Sequence, residues 1–127
     1  MELNYKKYGE ANETLIIIHG FLGSLENWHT LATEFGKHFS IYTIDMRNHG
    51  KSPHTEHHSI ELMVNDLAAF MDKHQIKSAN ILGHSMGGKT VMKLAELFPK
   101  RIKKMMVIDI APRYYPVHHH QILNALK

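Results

Sequence analysis

The residues best able to do chemistry are Gly83-His84-Ser85-Met86-Gly87-Gly88, which follow the apolar run Ala79-Asn80-Ile81-Leu82 and precede a helical pattern. Gly-x-Ser-x-Gly between a strand and a helix is the sequence form of a nucleophile elbow. A serine at the tip of so tight a turn is forced into a strained backbone conformation, and its hydroxyl stands clear of the sheet. The residues two before and two after it approach closely, so both must be small, and Gly83 and Gly87 meet that demand. The N–H of Met86 is then directed toward the space above Ser85, at the start of a helix whose dipole favours negative charge. The chemistry implied is nucleophilic attack by Ser85, helped by a base that removes its proton.

A second chemistry fits the same stretch. Gly83 to Thr90, GHSMGGKT, satisfies G-x-x-x-x-G-K-[ST], the loop that cradles nucleotide phosphates. Met105-Met106-Val107-Ile108-Asp109 would then be a strand ending in a magnesium-binding aspartate. Both chemistries need a strand before and a helix after, so the stretch alone leaves them open.

Either site needs a sheet with helices packed on it. Leu3 to Tyr8 reads as an opening strand, and Leu15-Ile16-Ile17-Ile18 as a strand buried on both faces of a parallel sheet. Ser24 is placed to cap a helix with Leu25, Trp28, Leu31, Ala32 and Phe35 in helical period, stopped by Gly36. Phe39 to Ile44 is the next strand, followed by a polar loop to His58. Ser59 then caps a helix carrying Ile60, Met63, Val64, Leu67, Phe70 and Met71 on one face. Val91, Leu94, Ala95 and Phe98 make the inner face of the helix after the elbow, which Pro99 helps to end. Lys104 to Ile110 is a further strand, and Pro112 and Pro116 precede a short helical pattern from Ile122 to Leu126. Strands alternating with helices predict an α/β fold with a doubly wound, mostly parallel sheet. Ligands on such sheets bind beyond the carboxyl ends of the strands, where loops 19–24, 45–52, 83–88 and 109–116 would converge.

Composition narrows the partners. The 127 residues are 43% hydrophobic and 21% charged, which describes one globular domain. No apolar run approaches the ~18 residues of a membrane span. Met1-Glu2-Leu3-Asn4 lacks signal-peptide character, and with no cysteine the expectation is a cytoplasmic protein without disulfides. The net charge is +3, and its lysines and arginines form no basic stripe with interleaved aromatics, so no nucleic-acid partner is expected. Of 12 histidines, His54, His57 and His58 form one group and His118, His119 and His120 another. Neither group has an acidic or cysteine partner at ligand spacing, so no metal is expected.

HGFLGS at 19–24, DMRNHGKS at 45–52, GHSMGGKT at 83–90 and IDIAPRYYP at 108–116, taken together and in this order, resemble the α/β-hydrolase superfamily. The likeness is to small bacterial esterases with the DMRNHG signature in particular. A phosphate loop usually follows the first strand of its domain, whereas Gly83 follows the third or fourth, and a nucleotidase leaves HGF unexplained; the hydrolase reading is preferred. Lys89 and Thr90 are then ordinary first-turn helix residues.

The resemblance implies an incomplete α/β-hydrolase fold: residues 1–112 as the N-terminal part of the core and 113–127 as the start of a truncated cap region. The whole protein would have roughly 250 residues. It implies a serine hydrolase of the carboxylesterase or thioesterase type, acting on a small acyl ester or thioester through an acyl-serine intermediate and needing no cofactor. Ser85 would be the nucleophile, the N–H groups of Phe21 and Met86 the oxyanion donors, Asp109 the acid, and His19 and Tyr114 substrate contacts. The base would be a histidine after the last strand, absent from this chain, so the chain is expected to be an inactive fragment; His118 to His120 fall at the start of the cap instead. A hydrolase-fold protein used only for binding is the non-enzymatic alternative.

Other residues carry plainer expectations. Ser85 could simply cap its helix, and Asp109 could shape the Pro112 turn. Asp45 and Arg47 read as a loop-bracing pair, and His19 as a shaper of the oxyanion loop. His84 should point away from the serine. Phe21, Trp28, Tyr114 and Tyr115 are candidates to line an acyl pocket, with core packing the alternative for Trp28. The strand at Lys104 to Ile110, lacking a further neighbour, would leave an apolar edge.

Overall fold

Leu15, Ile16, Ile17 and Ile18 are all buried because their strand lies in the middle of the sheet and is covered on both faces. The computed structural model describes residues 1–108. Its strands are β1 (Tyr5–Tyr8), β2 (Thr14–Ile18), β3 (Ser40–Ile44), β4 (Ala79–His84) and β5 (Ile102–Ile108). Its α-helices are α1 (His29–Phe35), α2 (Ile60–Lys73) and α3 (Met86–Leu97), with 3-10 turns at Leu25–Trp28 and Pro99–Arg101. The strand order is β1-β3-β2-β4-β5, parallel except for β1, which runs antiparallel to β3.

Strand alternation assigns the two layers. Ile16 and Ile18 pack with Met63, Val64, Leu67 and Met71 of α2 and with Val91 and Leu94 of α3. Leu15 and Ile17 pack on the other face with Leu31, Ala32 and Phe35 of α1. Fully burying such a side chain contributes roughly 1.5–3 kcal/mol. That decides which strand is central, since three of the four β1 residues remain exposed. The chain steps from β2 outward to β3, then back past β2 to β4. Right-handed crossovers in opposite directions put their helices on opposite faces, as observed. The reversal makes the carboxyl ends of β2, β3 and β4 the crevice where ligands bind on such sheets.

Local signals account for most boundaries. The Ser59 hydroxyl accepts the Leu62 N–H at 3.1 Å, which caps α2 as expected. The opening strand starts at Tyr5 rather than Leu3, whose side chain is buried in the core instead. At Ser24 the chain enters a 3-10 turn before α1, and the Ser24 N–H donates to Asn27 Oδ1 at 2.8 Å. The last described strand starts at Ile102, two residues earlier than expected; Asp109 and Ile110 lie outside the described residues. Among the described residues β5 is an edge strand, and exposed Lys103 and Lys104 charge its first half. Phe98 does not join the inner face of α3. The helix has ended at Leu97, Phe98 takes φ −136° and ψ 63°, and its side chain is 39% exposed.

Candidate active site

β4 ends at His84 and α3 begins at Met86, so Ser85 alone makes the turn, at φ 54° and ψ −110°. That lies outside the left-handed helical well and is strained for any residue with a Cβ. Neighbouring backbone enforces it. A Cβ on Gly83 would overlap the Gly87 carbonyl oxygen, so a larger residue there would push the strand away from the first turn of α3. Gly87 is required for a different reason than the one expected: its Cβ would strike the Ile18 carbonyl oxygen on β2, not residue 83. The Ser85 N–H donates to the Ile108 carbonyl at 2.7 Å, and its own carbonyl accepts from Lys89 N–H at 3.1 Å. The side chain is half-buried, and its hydroxyl has no hydrogen-bond partner among the described residues.

This geometry removes the phosphate-loop alternative. A phosphate cradle needs several loop residues with N–H groups turned inward, and here one residue separates strand from helix. Thr90, which would hold magnesium, is 0% exposed, and its hydroxyl donates to the Met86 carbonyl at 3.0 Å. Lys89 is exposed on the first turn of α3.

Two loops flank the serine. After β2, Gly23 N–H bonds the Gly20 carbonyl at 3.0 Å, closing a turn with Phe21 and Leu22 at its tip. Phe21 is 64% exposed and Leu22 83%, and Leu22 takes φ 63°. Neither the Phe21 N–H nor the Met86 N–H has an acceptor among the described residues. These groups sit after adjacent parallel strands, β2 and β4.

The loop after β3 holds the first loop in place. Asp45 Oδ1 accepts the Leu25 N–H at 2.7 Å, and Oδ2 accepts Asn4 Nδ2 at 2.9 Å and the Lys51 N–H at 3.0 Å. Gly50, at φ 52°, lies so close to this carboxylate that a Cβ would overlap it. Asp45 and Arg47 are not each other's partners. Arg47 is bidentate to Asp66 of α2, with Nε at 2.6 Å and a terminal nitrogen at 3.0 Å; its other terminal nitrogen donates to the His57 carbonyl at 3.1 Å. Asp66 was not singled out from sequence. The usable signal was a carboxylate inside the apolar stripe of α2, three residues after Met63 and one before Leu67.

His19 is 1% exposed, which overturns its expected contact with substrate. Its Nε2 accepts the Met46 N–H at 3.0 Å, so the ring proton sits on Nδ1 and is donated to the Gly20 carbonyl at 2.8 Å. With both nitrogens occupied, His19 joins the two loops and offers no atom to a ligand. His84 packs its ring edge-on to Trp28 at 5.9 Å and lies directly against Gly20. Trp28 itself packs against the α1-side core, as its plainer expectation had it. Asp109, Tyr114, Tyr115 and His118 to His120 lie outside the described residues.

These histidines make stability pH-dependent. Burial pushes His19 below its ordinary value, its bond to Gly20 opposing; burial does the same to His84. His74, its ring tilted against Phe70 at 4.3 Å, is lowered by burial and then by Lys73. Each takes up a proton less readily folded than unfolded, so the unfolded state binds more protons as pH falls. Stability is therefore whole above about pH 6.5 and declines below it, through the lowered folded-state values. Thermal midpoints should fall steadily between about pH 7 and pH 5, above the range in which ordinary carboxylates titrate. A flat profile there would contradict the burial of these rings.

A family model described as the alpha/beta hydrolase fold matches residues 13–125 of this chain. Esterase YbfF of Escherichia coli (strain K12) is 43% identical over 114 residues, which cover 90% of this chain and 45% of that protein. The sn-1-specific diacylglycerol lipase ABHD11 of Danio rerio is 35% identical over 124 residues, covering 94% of this chain and 39% of that one. A solved structure titled Marine microorganism esterase superposes with a TM-score of 0.84 at 47% identity, over 91% of this chain and 44% of its own. The chain thus spans less than half the length of each of these relatives.

Proposed function

The chain belongs to the alpha/beta hydrolase fold family, and from that premise we propose that it carries the nucleophile and oxyanion hole of a serine esterase or thioesterase. Ser85 Oγ attacks the acyl carbonyl while a histidine base takes its proton. The tetrahedral oxyanion is held by the N–H groups of Phe21 and Met86, the alcohol or thiol leaves with the proton, and water then cleaves the acyl-serine. Removing one such donor typically raises the barrier by about 3–4 kcal/mol, so the spare N–H groups matter. A small carboxylic ester or thioester is the substrate class, in keeping with the names of the relatives. Asp109, the residue after Ile108, whose carbonyl accepts the Ser85 N–H, is the acid in this reading. Three of the described histidines are not the base: His19 and His49 commit both ring nitrogens to backbone groups, and His84 packs against Gly20 and Trp28.

One observation carries the proposal: a strained, glycine-flanked Ser85 is the only residue between β4 and α3. A fluorophosphonate tests it, because its phosphorus bonds directly to an activated serine oxygen. The full-length protein that includes this chain should be labelled at Ser85, as located by peptide mass spectrometry, and Ser85→Ala should not label. A folded protein that takes up no probe would be a hydrolase-fold binding protein instead.

A further inference from the structure

We propose that His49 is a positioning residue for the oxyanion hole, acting through the backbone of Leu22; this rests on the serine-hydrolase reading above. The buried imidazole stands between two backbone groups of opposite kind. Its Nδ1 lies 2.9 Å from the Arg47 carbonyl, which can only accept, and its Nε2 lies 3.1 Å from the Leu22 N–H, which can only donate. The ring is therefore neutral, with its proton on Nδ1 and a lone pair aimed at Leu22. A doubly protonated ring would set two donors face to face.

Leu22 needs such an anchor. Its φ of 63° falls at the third position of the Gly20–Gly23 turn, where glycine is preferred, and its side chain is 83% exposed. Side-chain packing therefore does little to hold this strained backbone; the turn bond from Gly23 to Gly20 and the hydrogen bond to His49 do. The same ring touches the residue before, with Phe21 edge-on at 5.9 Å. The Phe21 N–H lies in the preceding peptide plane, whose Gly20 carbonyl is held by the Gly23 N–H at 3.0 Å and by His19 Nδ1 at 2.8 Å. The bond from Leu22 N–H to His49 fixes the plane on the other side of the Phe21 Cα, so that both planes meeting at Phe21 are set. The anchor is itself anchored: Arg47, whose carbonyl receives the His49 proton, is clamped bidentately to Asp66 on α2. The other groups facing His49 are the His19 ring at 4.9 Å and the His58 ring at 6.1 Å. The support runs from α2 through Arg47 and His49 to the tip of the β2 loop, and it lets a backbone donor be aimed before substrate arrives.

The experiment compares His49→Phe, which keeps a ring without an acceptor, with His49→Gln, whose Oε1 can replace Nε2 opposite Leu22. Both are measured in the full-length protein with a soluble ester. His49→Phe should lower kcat about 10- to 100-fold with KM little changed, because a misaimed donor is missed in the transition state. It should weaken a trifluoromethyl ketone, whose adduct places an oxyanion in the hole, by a similar factor, and His49→Gln should recover most of both. If His49→Phe does not fold, amide exchange in the unmodified protein decides: the Leu22 N–H should be protected despite its exposed side chain. Unchanged kcat in a folded His49→Phe, a loss confined to KM, no recovery in His49→Gln, or an unprotected Leu22 amide would each overturn the proposal. Ser85→Ala run alongside separates the two readings: turnover surviving in Ser85→Ala defeats the serine mechanism, whereas its loss beside an unimpaired His49→Phe defeats only the role given to His49.

Discussion

Ser85→Gly should give a protein that melts higher than its parent and hydrolyses no ester above background. The activity half follows from the role proposed for Ser85: without an oxygen to acylate, the loss in a serine hydrolase is about 10⁴- to 10⁶-fold. The stability half follows from the backbone. A side chain held at φ 54° and ψ −110° costs about 1–3 kcal/mol, and glycine escapes most of that. Glycine gives back roughly 0.5–1 kcal/mol through the greater freedom of the unfolded chain. The deleted hydroxyl has no hydrogen-bond partner among the described residues, so none of the described contacts is lost with it. A net gain of about 1 kcal/mol is expected, read as a higher urea midpoint with an unchanged slope. Equal or lower stability in Ser85→Gly would mean the turn is not strained, and the principal support for a nucleophile at this position would go.

Arg47→Met should be the most destabilising single substitution in the loop after β3. It removes both hydrogen bonds from Asp66, whose side chain is 7% exposed, and leaves a buried carboxylate with no counter-charge. Breaking a buried pair from one side costs about 3–5 kcal/mol, whereas replacing both members with apolar residues is often near neutral. Arg47→Met with Asp66→Leu should therefore recover most of the loss in the same denaturation experiment. If the double variant is as unstable as the single one, the cost lies in the bond to the His57 carbonyl or in packing, and the ion pair is not what holds the loop to α2. The effect should reach the site too, because the Arg47 carbonyl orients His49.

Much of this architecture was legible without coordinates because it is periodic or local. The four-residue apolar run of β2 announced a strand covered on both faces, and Ser59 followed by apolar positions in helical period announced α2 and its cap. The small residue at 83 was likewise legible, since bulk there is incompatible with so tight a turn, whereas the need for glycine at 87 comes from its contact with the Ile18 carbonyl on β2. Phe98 was misplaced because periodicity says which face a side chain takes within a helix but not where the helix stops.

What only the tertiary structure decided concerns partners distant in sequence. GHSMGGKT is compatible with a phosphate cradle or with a serine turn. The choice rests on one residue, not several, separating β4 from α3, and on Thr90 being turned into the core. Arg47 found Asp66 rather than Asp45, His49 found Leu22, and His19 found Met46, across separations of 19 to 27 residues. The sequence by itself determined the buried run of β2, the apolar stripe of α2 and the tight turn at Ser85, because those depend on neighbours along the chain. Which loop braces which was decided by the order β3-β2-β4, which sets the carboxyl ends of strands side by side and brings groups with complementary donors and acceptors within reach.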